Sequence, residues 1–186
     1  MIEKQSTIPS RSILKKNEAT FHYIDSFQSP ILGKGQRVDI AKFVQLFLSG
    51  GPKWADTLFE VRNKAVRLFG LKVSSAADRQ KKVDITKLKV GEQVGIFRLF
   101  EKAENEVVLG EDDKHLNFRV SLFIDQHSNG SDKKRLSITT AVRFNNAFGR
   151  IYFLPVKPFH KWLVRSSLKK IIQKIEGKTE YQTNFS

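Results

Sequence analysis

The alternation of apolar and polar residues that decides the fold is clearest in LNFRVSLFID (residues 116–125) and RLSITTAVRF (residues 135–144). In each stretch, residues of one parity are mostly apolar and residues of the other are mostly Ser, Thr, Asn or Arg. A period of two is that of a β-strand with one buried and one solvated face. The two stretches therefore predict neighbouring strands of an antiparallel sheet that is covered on one side only.

The residues after these strands change to the period of a helix. Beyond Pro158, apolar residues recur at the spacing of one helical face, with Lys and Arg off that face. Pro158 fits the first turn, where an absent N–H group costs little, and Gly177 fits the end. The pattern predicts a long, amphipathic and basic C-terminal helix. Its apolar face consists of Val164, Leu168, Ile171, Ile172 and Ile175.

Ahead of the two strands, the sequence predicts one strand, two helices and a hairpin. The strand lies around residues 21–27. Asp39 is a good N-cap for a helix over residues 40–48, and a second helix over residues 52–70 begins at a proline and ends at a glycine. Two short stretches of period two within residues 96–109 predict the hairpin.

The composition is that of a single domain, because the chain has 186 residues. The absence of cysteine excludes a disulfide scaffold, a thiolate metal site and a cysteine nucleophile. We expect an N-terminal arm over residues 1–19, one domain over residues 20–177 and a frayed tail over residues 178–186. No apolar run reaches the ~18 residues of a membrane helix, and no signal peptide is visible, so we expect a cytoplasmic protein.

The net charge of +14 is concentrated near the C-terminus, since residues 133–186 contain 12 Lys or Arg against 2 Asp or Glu. Basic residues on the last helix could contact an anionic membrane surface, although a solvated helix face needs no partner. Those residues are Arg165, Lys169, Lys170 and Lys174. Nucleic acid is the weaker interpretation, because the strands place their arginines among Ser, Thr and Asn rather than among aromatic residues.

Six short motifs resemble those of one known family. They are YIDSF (23–27), WADTLFEVRN (54–63), FGL (69–71), GEDDKHLNFR (110–119), GRIYF (149–153) and KPFH (157–160). The family is a bacterial domain-of-unknown-function family, number 2867, of the START-like, birch-pollen-allergen-like superfamily (SRPBCC, polyketide cyclase-like). The resemblance implies an α+β helix-grip fold, in which a curved antiparallel sheet wraps a long C-terminal helix and two short helices follow the first strand. The superfamily commonly has a cavity between helix and sheet, and the family lends no catalytic residue.

The leading hypothesis is binding of an apolar or amphipathic small molecule or lipid in that cavity, without catalysis and without a cofactor. An apolar helix face opposite an apolar sheet face supports it, and the resemblance extends to a superfamily that includes lipid and hormone binders. The candidate pocket residues are Trp54, Arg62, Phe118, Val120, Leu122, Ile138, Thr140, Val142, Tyr152, His160, Val164 and Leu168.

His160 is the candidate with the most chemistry. At the edge of the apolar helix face it would approach the space between helix and sheet, where a neutral imidazole could orient a ligand or act as a base. The alternative is a histidine that is hydrogen-bonded to backbone near the two prolines. A second hypothesis is therefore a cyclase-like or hydrolase-like enzyme that uses His160 or His115 with an arginine or a tyrosine such as Tyr152.

Three further groups have ordinary structural interpretations. His115 follows three acidic residues at 111–113, which could bind a metal, but consecutive turn residues seldom converge on one ion, and a solvated hairpin end is favoured. Arg62 could bind an anionic head group, or it could pair with a neighbouring carboxylate. The sequence GKG at residues 33–35 lacks the remainder of a phosphate-binding loop.

Overall fold

The computed structural model describes residues 1–31, 38–49, 85, 87–94, 97–126 and 134–177. In this part of the chain a seven-stranded antiparallel sheet is joined by two α-helices, which confirms the predicted α+β class. The strands are β1 (Glu3–Gln5), β2 (Tyr23–Pro30), β3 (Gln93–Val94), β4 (Phe97–Lys102), β5 (Glu106–Asp112), β6 (Leu116–Gln126) and β7 (Lys134–Phe144). The helices are α1 (Ile40–Ser49) and α2 (Ala147–Ile175), and a 3₁₀-helix spans Ile13–Thr20.

The sheet has the strand order β1-β2-β7-β6-β5-β4-β3, so the two patterned strands, β6 and β7, are neighbours as predicted. Leu122 lies opposite Ile138 and Val120 lies opposite Thr140. In this register the apolar residues of both strands lie on the same face of the sheet. A slip of one residue would move the apolar residues of one strand to the other face. We call this the inner face of the sheet. The predicted hairpin is confirmed by the pairing of β4 with β5.

Apolar side chains of both helices pack in one core with those of the inner face of the sheet. The N-terminus of α1 is capped as predicted, since the backbone N–H of Lys42 donates to Oδ1 of Asp39 at 2.7 Å. α2 contributes buried Val164, Leu168, Ile171 and Ile175 to the core, and Ile172 packs beside them. The apolar face predicted for the C-terminal helix is therefore the face that meets the core.

The opposite, outer face of the sheet is also covered, which corrects the prediction of a sheet with one solvated face. Ile8 and Leu14 of the N-terminal segment are buried in a second cluster with Val108 and Ala141 of the sheet. The N-terminal segment shows no periodicity in the sequence, so its role as a cover is not visible there.

The polar parity of the strands does not mark solvent here, because hydroxyl groups can be buried when they are hydrogen-bonded. Ser26 and Thr139 lie opposite each other on the outer face of β2 and β7, and their hydroxyl oxygens are 2.8 Å apart. The hydroxyl of Ser121 donates to Oε1 of Glu106 at 2.6 Å. All four of these residues are fully buried.

The structure also corrects the prediction of an N-terminal arm over residues 1–19. β1 pairs with β2 at the edge of the sheet, where Glu3 lies opposite Gln28. Ser12 caps the 3₁₀-helix by accepting a hydrogen bond from the N–H of Leu14. Most of the segment predicted to be an arm over the domain surface is therefore built into the sheet or packed against it.

α2 begins at Ala147, and the prediction of a start at Pro158 is wrong. Asn146 caps this earlier start by accepting a hydrogen bond from the N–H of Gly149 at 3.1 Å. Pro155 and Pro158 lie inside the helix and are exposed. Each proline lacks a backbone N–H, so the carbonyl groups of Ile151 and Leu154, four residues earlier, lose their helical hydrogen-bond donors.

Several predicted features lie outside the described residues. These are the second helix over residues 52–70, the GKG sequence at residues 33–35, the tail over residues 178–186, and the pocket candidates Trp54 and Arg62. None of the helices in the described part of the chain combines the length and the apolar character that a transmembrane span requires.

Candidate functional site

Four polar side chains meet between α2 and the inner face of the sheet. Asp25 on β2 lies opposite Thr140 on β7, and both are buried on the inner face. The phenol of Tyr23 donates to Oδ2 of Asp25 at 2.5 Å. From α2, Nε2 of His160 lies 2.9 Å from Oγ1 of Thr140. We call Tyr23, Asp25, Thr140 and His160 the interior polar cluster.

One atom of the interior polar cluster has no partner. Oδ1 of Asp25 is buried and makes no hydrogen bond within the described part of the chain. A buried polar atom without a partner costs roughly 1–3 kcal/mol, and such atoms are rare in native structures. Oδ1 of Asp25 is therefore a hydrogen-bond acceptor that no described residue satisfies.

The electrostatics of the interior polar cluster follow from its burial. Desolvation lowers the pKa of His160, and the negative charge of Asp25 opposes this shift. Desolvation raises the pKa of the Tyr23 phenol, and the hydrogen bond to Asp25 and its charge raise it further. At neutral pH the imidazole and the phenol are accordingly neutral.

Aromatic and basic side chains form the rim of the interior polar cluster. The ring of Phe153 meets the ring of Tyr23 edge-on, with 4.9 Å between the centroids. Nζ of Lys157 lies 4.9 Å from the centroid of the same tyrosine ring. Partial desolvation, and then the like charges of Lys4 and Lys157, lower the pKa of Lys161, against the opposing charge of Asp25. The rim is therefore electropositive.

Most of the pocket residues predicted from sequence are packed core residues. Five of them belong to one buried cluster, and Phe118 packs against it. The five are Val120, Leu122, Ile138, Val164 and Leu168. Val142 is also buried, and Tyr152 is partly buried on α2, with its ring 6.5 Å from that of Phe148. Among the candidates in the described part of the chain, only Thr140 and His160 meet in a polar contact.

The sequence reasoning missed Asp25 and Tyr23 as functional residues. A signal was available, because Asp25 stands at a position of β2 that points to the core, between Tyr23 and Phe27. It interrupts the apolar parity of the strand there. A carboxylate at a core position of a strand is unusual without a partner, and it therefore indicates a candidate functional residue.

His115 has a structural role at the start of α2. Its Nδ1 lies 3.1 Å from Nδ2 of Asn146, the N-cap residue, and its ring centroid lies 4.6 Å from that of Phe148. Asp112, one of the three neighbouring acids, pairs with Arg119 at 2.7 Å. Within the described part of the chain, no cluster of His, Asp and Glu residues is arranged to hold a metal ion.

A cleft of about 310 Å³ lies on the outer face of the sheet, beside the 3₁₀-helix. It is lined by Leu14, Asn17, Thr20, Phe21, Phe100, Glu101, Val108, Asn117, Arg119 and Arg143. The guanidinium of Arg119 lies 3.4 Å from the centroid of the Phe100 ring and is also bound to Asp112. Because the cleft lies on the outer face, the sheet separates it from the site predicted between the inner face and α2.

Comparison with known proteins identifies one family. Residues 18–167 match the family model described as protein of unknown function (DUF2867). The matched region includes every residue of the interior polar cluster. No curated protein and no solved structure matches the chain.

Proposed function

The chain belongs to the DUF2867 family of proteins of unknown function, and we propose that it binds an amphipathic small molecule or lipid between the sheet and α2. The polar end of the molecule donates a hydrogen bond to Oδ1 of Asp25, and its apolar part contacts the surrounding side chains. The single observation that carries the proposal is the buried carboxylate oxygen of Asp25 that lacks a donor.

The chemistry of this oxygen selects the polar end of the ligand. A carboxylate oxygen accepts hydrogen bonds, so the ligand group must be a hydroxyl, an amide N–H or an ammonium. The donor removes the cost of leaving the oxygen unsatisfied, and this gain favours ligands with a donor over ligands of equal shape without one.

The neighbours of the interior polar cluster favour an apolar remainder. On the inner face, Asp25 and Thr140 are followed along their strands by the paired Phe27 and Ile138, which are buried. Phe153 of α2 packs on the other side, against Tyr23. A molecule anchored at Asp25 is therefore surrounded by hydrocarbon, which contributes roughly 25 cal/mol for each Å² of apolar surface that it buries.

Access to the site involves the middle of α2. Pro155 and Pro158 precede His160 by less than two helical turns, and each lacks the N–H that would bond to the carbonyl four residues earlier. The carbonyls that lose these partners belong to Ile151 and Leu154, so this part of α2 is held by fewer backbone hydrogen bonds. We therefore propose that a ligand reaches Asp25 through a small bend of α2 at the prolines.

The geometry favours binding over catalysis. Nε2 of His160 contacts the hydroxyl of Thr140, and within the described part of the chain no hydrogen bond joins His160 to Asp25. Without that bond the carboxylate does not orient the imidazole as it would in a general-base dyad. This supports binding rather than catalysis as the proposed role of the interior polar cluster.

A displacement assay tests the proposal. The probe is N-phenyl-1-naphthylamine, an apolar fluorophore with one N–H donor. The competitors are 1-dodecanol and its methyl ether, in which a methyl group replaces the hydroxyl hydrogen and removes the donor. We expect dodecanol to displace the probe at a concentration about 10-fold lower than the ether does. The substitution Asp25→Ala should remove this preference.

The matched control is Ser26→Ala, which removes a buried polar group from the next residue on the outer face. This variant should keep the preference for the alcohol. Equal displacement by the two competitors, or no binding of the probe by the wild-type protein, would refute the proposed function.

A further inference from the structure

The first half of α2 exposes large apolar side chains on the side that faces away from the sheet. Leu154 is 68% exposed, Ile151 is 66% exposed and Phe159 is 55% exposed. Trp162 is 54% exposed. We call Ile151, Leu154, Phe159 and Trp162 the outward stripe.

The outward stripe is a continuous feature rather than a set of scattered residues. Ile151, Phe159 and Trp162 lie on one line along the helix, in which the exposed Pro155 occupies the position between Ile151 and Phe159, and Leu154 borders this line. The opposite side of the same half-helix is buried, with Gly149 and Phe153 against the sheet. Apolar side chains therefore cover both sides of this half of α2, whereas single exposed apolar residues are the norm on soluble proteins.

The charge of α2 is of one sign. Residues 147–175 contain seven Lys or Arg and no Asp or Glu. None of the seven forms an ion pair with another residue in the described part of the chain. Toward the C-terminus, the line of the outward stripe continues through Arg165 and Lys169, which are exposed. An apolar surface is thus followed, along one helix, by a cationic one.

We infer that the outward face of α2 binds to an anionic membrane surface. Ile151, Leu154 and Phe159 enter the boundary between head groups and acyl chains, and the basic residues of the second half contact the anionic head groups. Helices that lie in a membrane interface combine these two features, with bulky apolar side chains on one part and Lys or Arg on the other. This inference is independent of the ligand proposed at Asp25.

The same charge argues against a second copy of the chain as the occupant. A symmetric dimer through this face would place two helices with seven cations each, and no acidic residue, in contact. Like charges across an interface oppose association. A nucleic acid would satisfy the cations but would leave the outward stripe without an apolar partner.

Vesicle sedimentation tests the inference directly. We expect the wild-type protein to sediment with vesicles of phosphatidylcholine and phosphatidylserine, and not with vesicles of phosphatidylcholine alone. Raising NaCl from about 0.1 M to about 0.5 M should release most of it, because screening weakens attraction between exposed charges.

Two sets of substitutions separate the apolar and the cationic contributions. The triple variant Ile151→Ser, Leu154→Ser, Phe159→Ser should lower the partition coefficient at least about 10-fold. The triple variant Arg165→Gln, Lys169→Gln, Lys174→Gln should lower it about 100-fold, at roughly a factor of five for each basic residue. The substituted side chains are exposed or at the surface, so circular dichroism should show an unchanged fold.

Matched controls alter equivalent residues elsewhere on the surface. Val90→Ser replaces an apolar residue that is 64% exposed ahead of β3, and Lys42→Gln, Lys89→Gln, Lys114→Gln removes the same net charge. Both controls should bind vesicles within about twofold of wild type. Equal losses in the charge variant and its control would overturn the inference, because net charge alone would then explain binding. An absence of vesicle binding by the wild-type protein would overturn the inference as well. If the protein then proved to be a dimer that the apolar variant dissociates, a second copy of the chain would be the partner of this face.

Discussion

The hydroxyl of Ser12 donates a 2.6 Å hydrogen bond to Oε1 of Glu106, which lies 94 positions later in the chain. Ser121 donates to the same oxygen at 2.6 Å, and the backbone N–H of Ile13 donates to Oε2 at 2.7 Å. The carboxylate is fully buried, and three donors compensate for its lost hydration. Glu106 therefore attaches the N-terminal segment to the outer face of the sheet.

Replacing this carboxylate should destabilise the fold. Glu106→Gln keeps the size of the side chain but places an amide N–H₂ group opposite donors, so we expect a loss of about 1–3 kcal/mol in the free energy of unfolding. Urea denaturation measures the loss. The same substitution at the exposed Glu104 should change stability by no more than about 0.5 kcal/mol. Equal stabilities of the two variants would contradict the role assigned to Glu106.

The parts of the fold that could be predicted from sequence are those in which periodicity and burial agree. In the strands at residues 116–126 and 134–144, apolar and polar residues alternate closely enough to show which side chains face the core. Near the end of α2, apolar residues recur with a helical period. The covered outer face could not be predicted, because the segment that covers it has no period and because Ser26 and Thr139 satisfy each other when buried. Polar identity does not by itself distinguish solvent from a hydrogen-bonded interior.

The candidate site was predictable in part for a related reason. His160 follows from its position on the helical face, and Thr140 follows from the inner parity of β7. The contact between them requires the two elements to be placed in three dimensions, which periodicity does not provide. The missing partner of Asp25 is a property of the packed structure alone. The early start of α2 is not evident from the sequence, because prolines commonly mark a helix boundary, although at exposed positions they allow a helix to continue.

Gly149 should not tolerate a side chain, although alanine is the better helix former. A Cβ atom built at this position would lie 2.1 Å from the carbonyl oxygen of His115, a backbone atom that cannot move aside cheaply. We expect Gly149→Ala to lose about 1–3 kcal/mol of stability by urea denaturation. Ser166→Ala, farther along the same helix, should be neutral or slightly stabilising. Stability of Gly149→Ala at or above that of wild type would contradict the close approach of α2 to the β5–β6 turn.

Tyr23 predicts a loss of stability in alkaline solution. Burial and the hydrogen bond to Asp25 raise the pKa of its phenol, so above about pH 10 the unfolded chain releases this proton while the folded chain retains it. The free energy of unfolding should therefore fall with rising pH, by up to about 1.4 kcal/mol per unit from this group. Urea titrations between about pH 8 and 11 should show that Tyr23→Phe lacks this part of the slope and that Tyr152→Phe retains it. A slope unchanged by Tyr23→Phe would count against a raised pKa for this partly buried phenol.

His160 predicts the opposite dependence in acid. Because burial lowers the pKa of its imidazole, the unfolded chain takes up a proton as the pH falls through about 6.5, while the folded chain does not until its lower pKa is reached. Stability from this group is present above about pH 6.5 and is lost as the pH decreases, by up to about 1.4 kcal/mol per unit. His160→Gln should remove that component from urea titrations between about pH 4.5 and 8.

The variant Thr140→Val separates burial of His160 from its hydrogen bond. It keeps the shape of the side chain and removes the hydroxyl that contacts Nε2 of His160 at 2.9 Å, so stability at neutral pH should fall by about 1–2 kcal/mol. The acid slope should persist, because desolvation rather than the threonine hydroxyl is the main cause of the lowered pKa. If Thr140→Val abolished the slope while His160→Gln left it intact, the imidazole would not be the group that titrates. Another buried group would then have to account for the acid dependence.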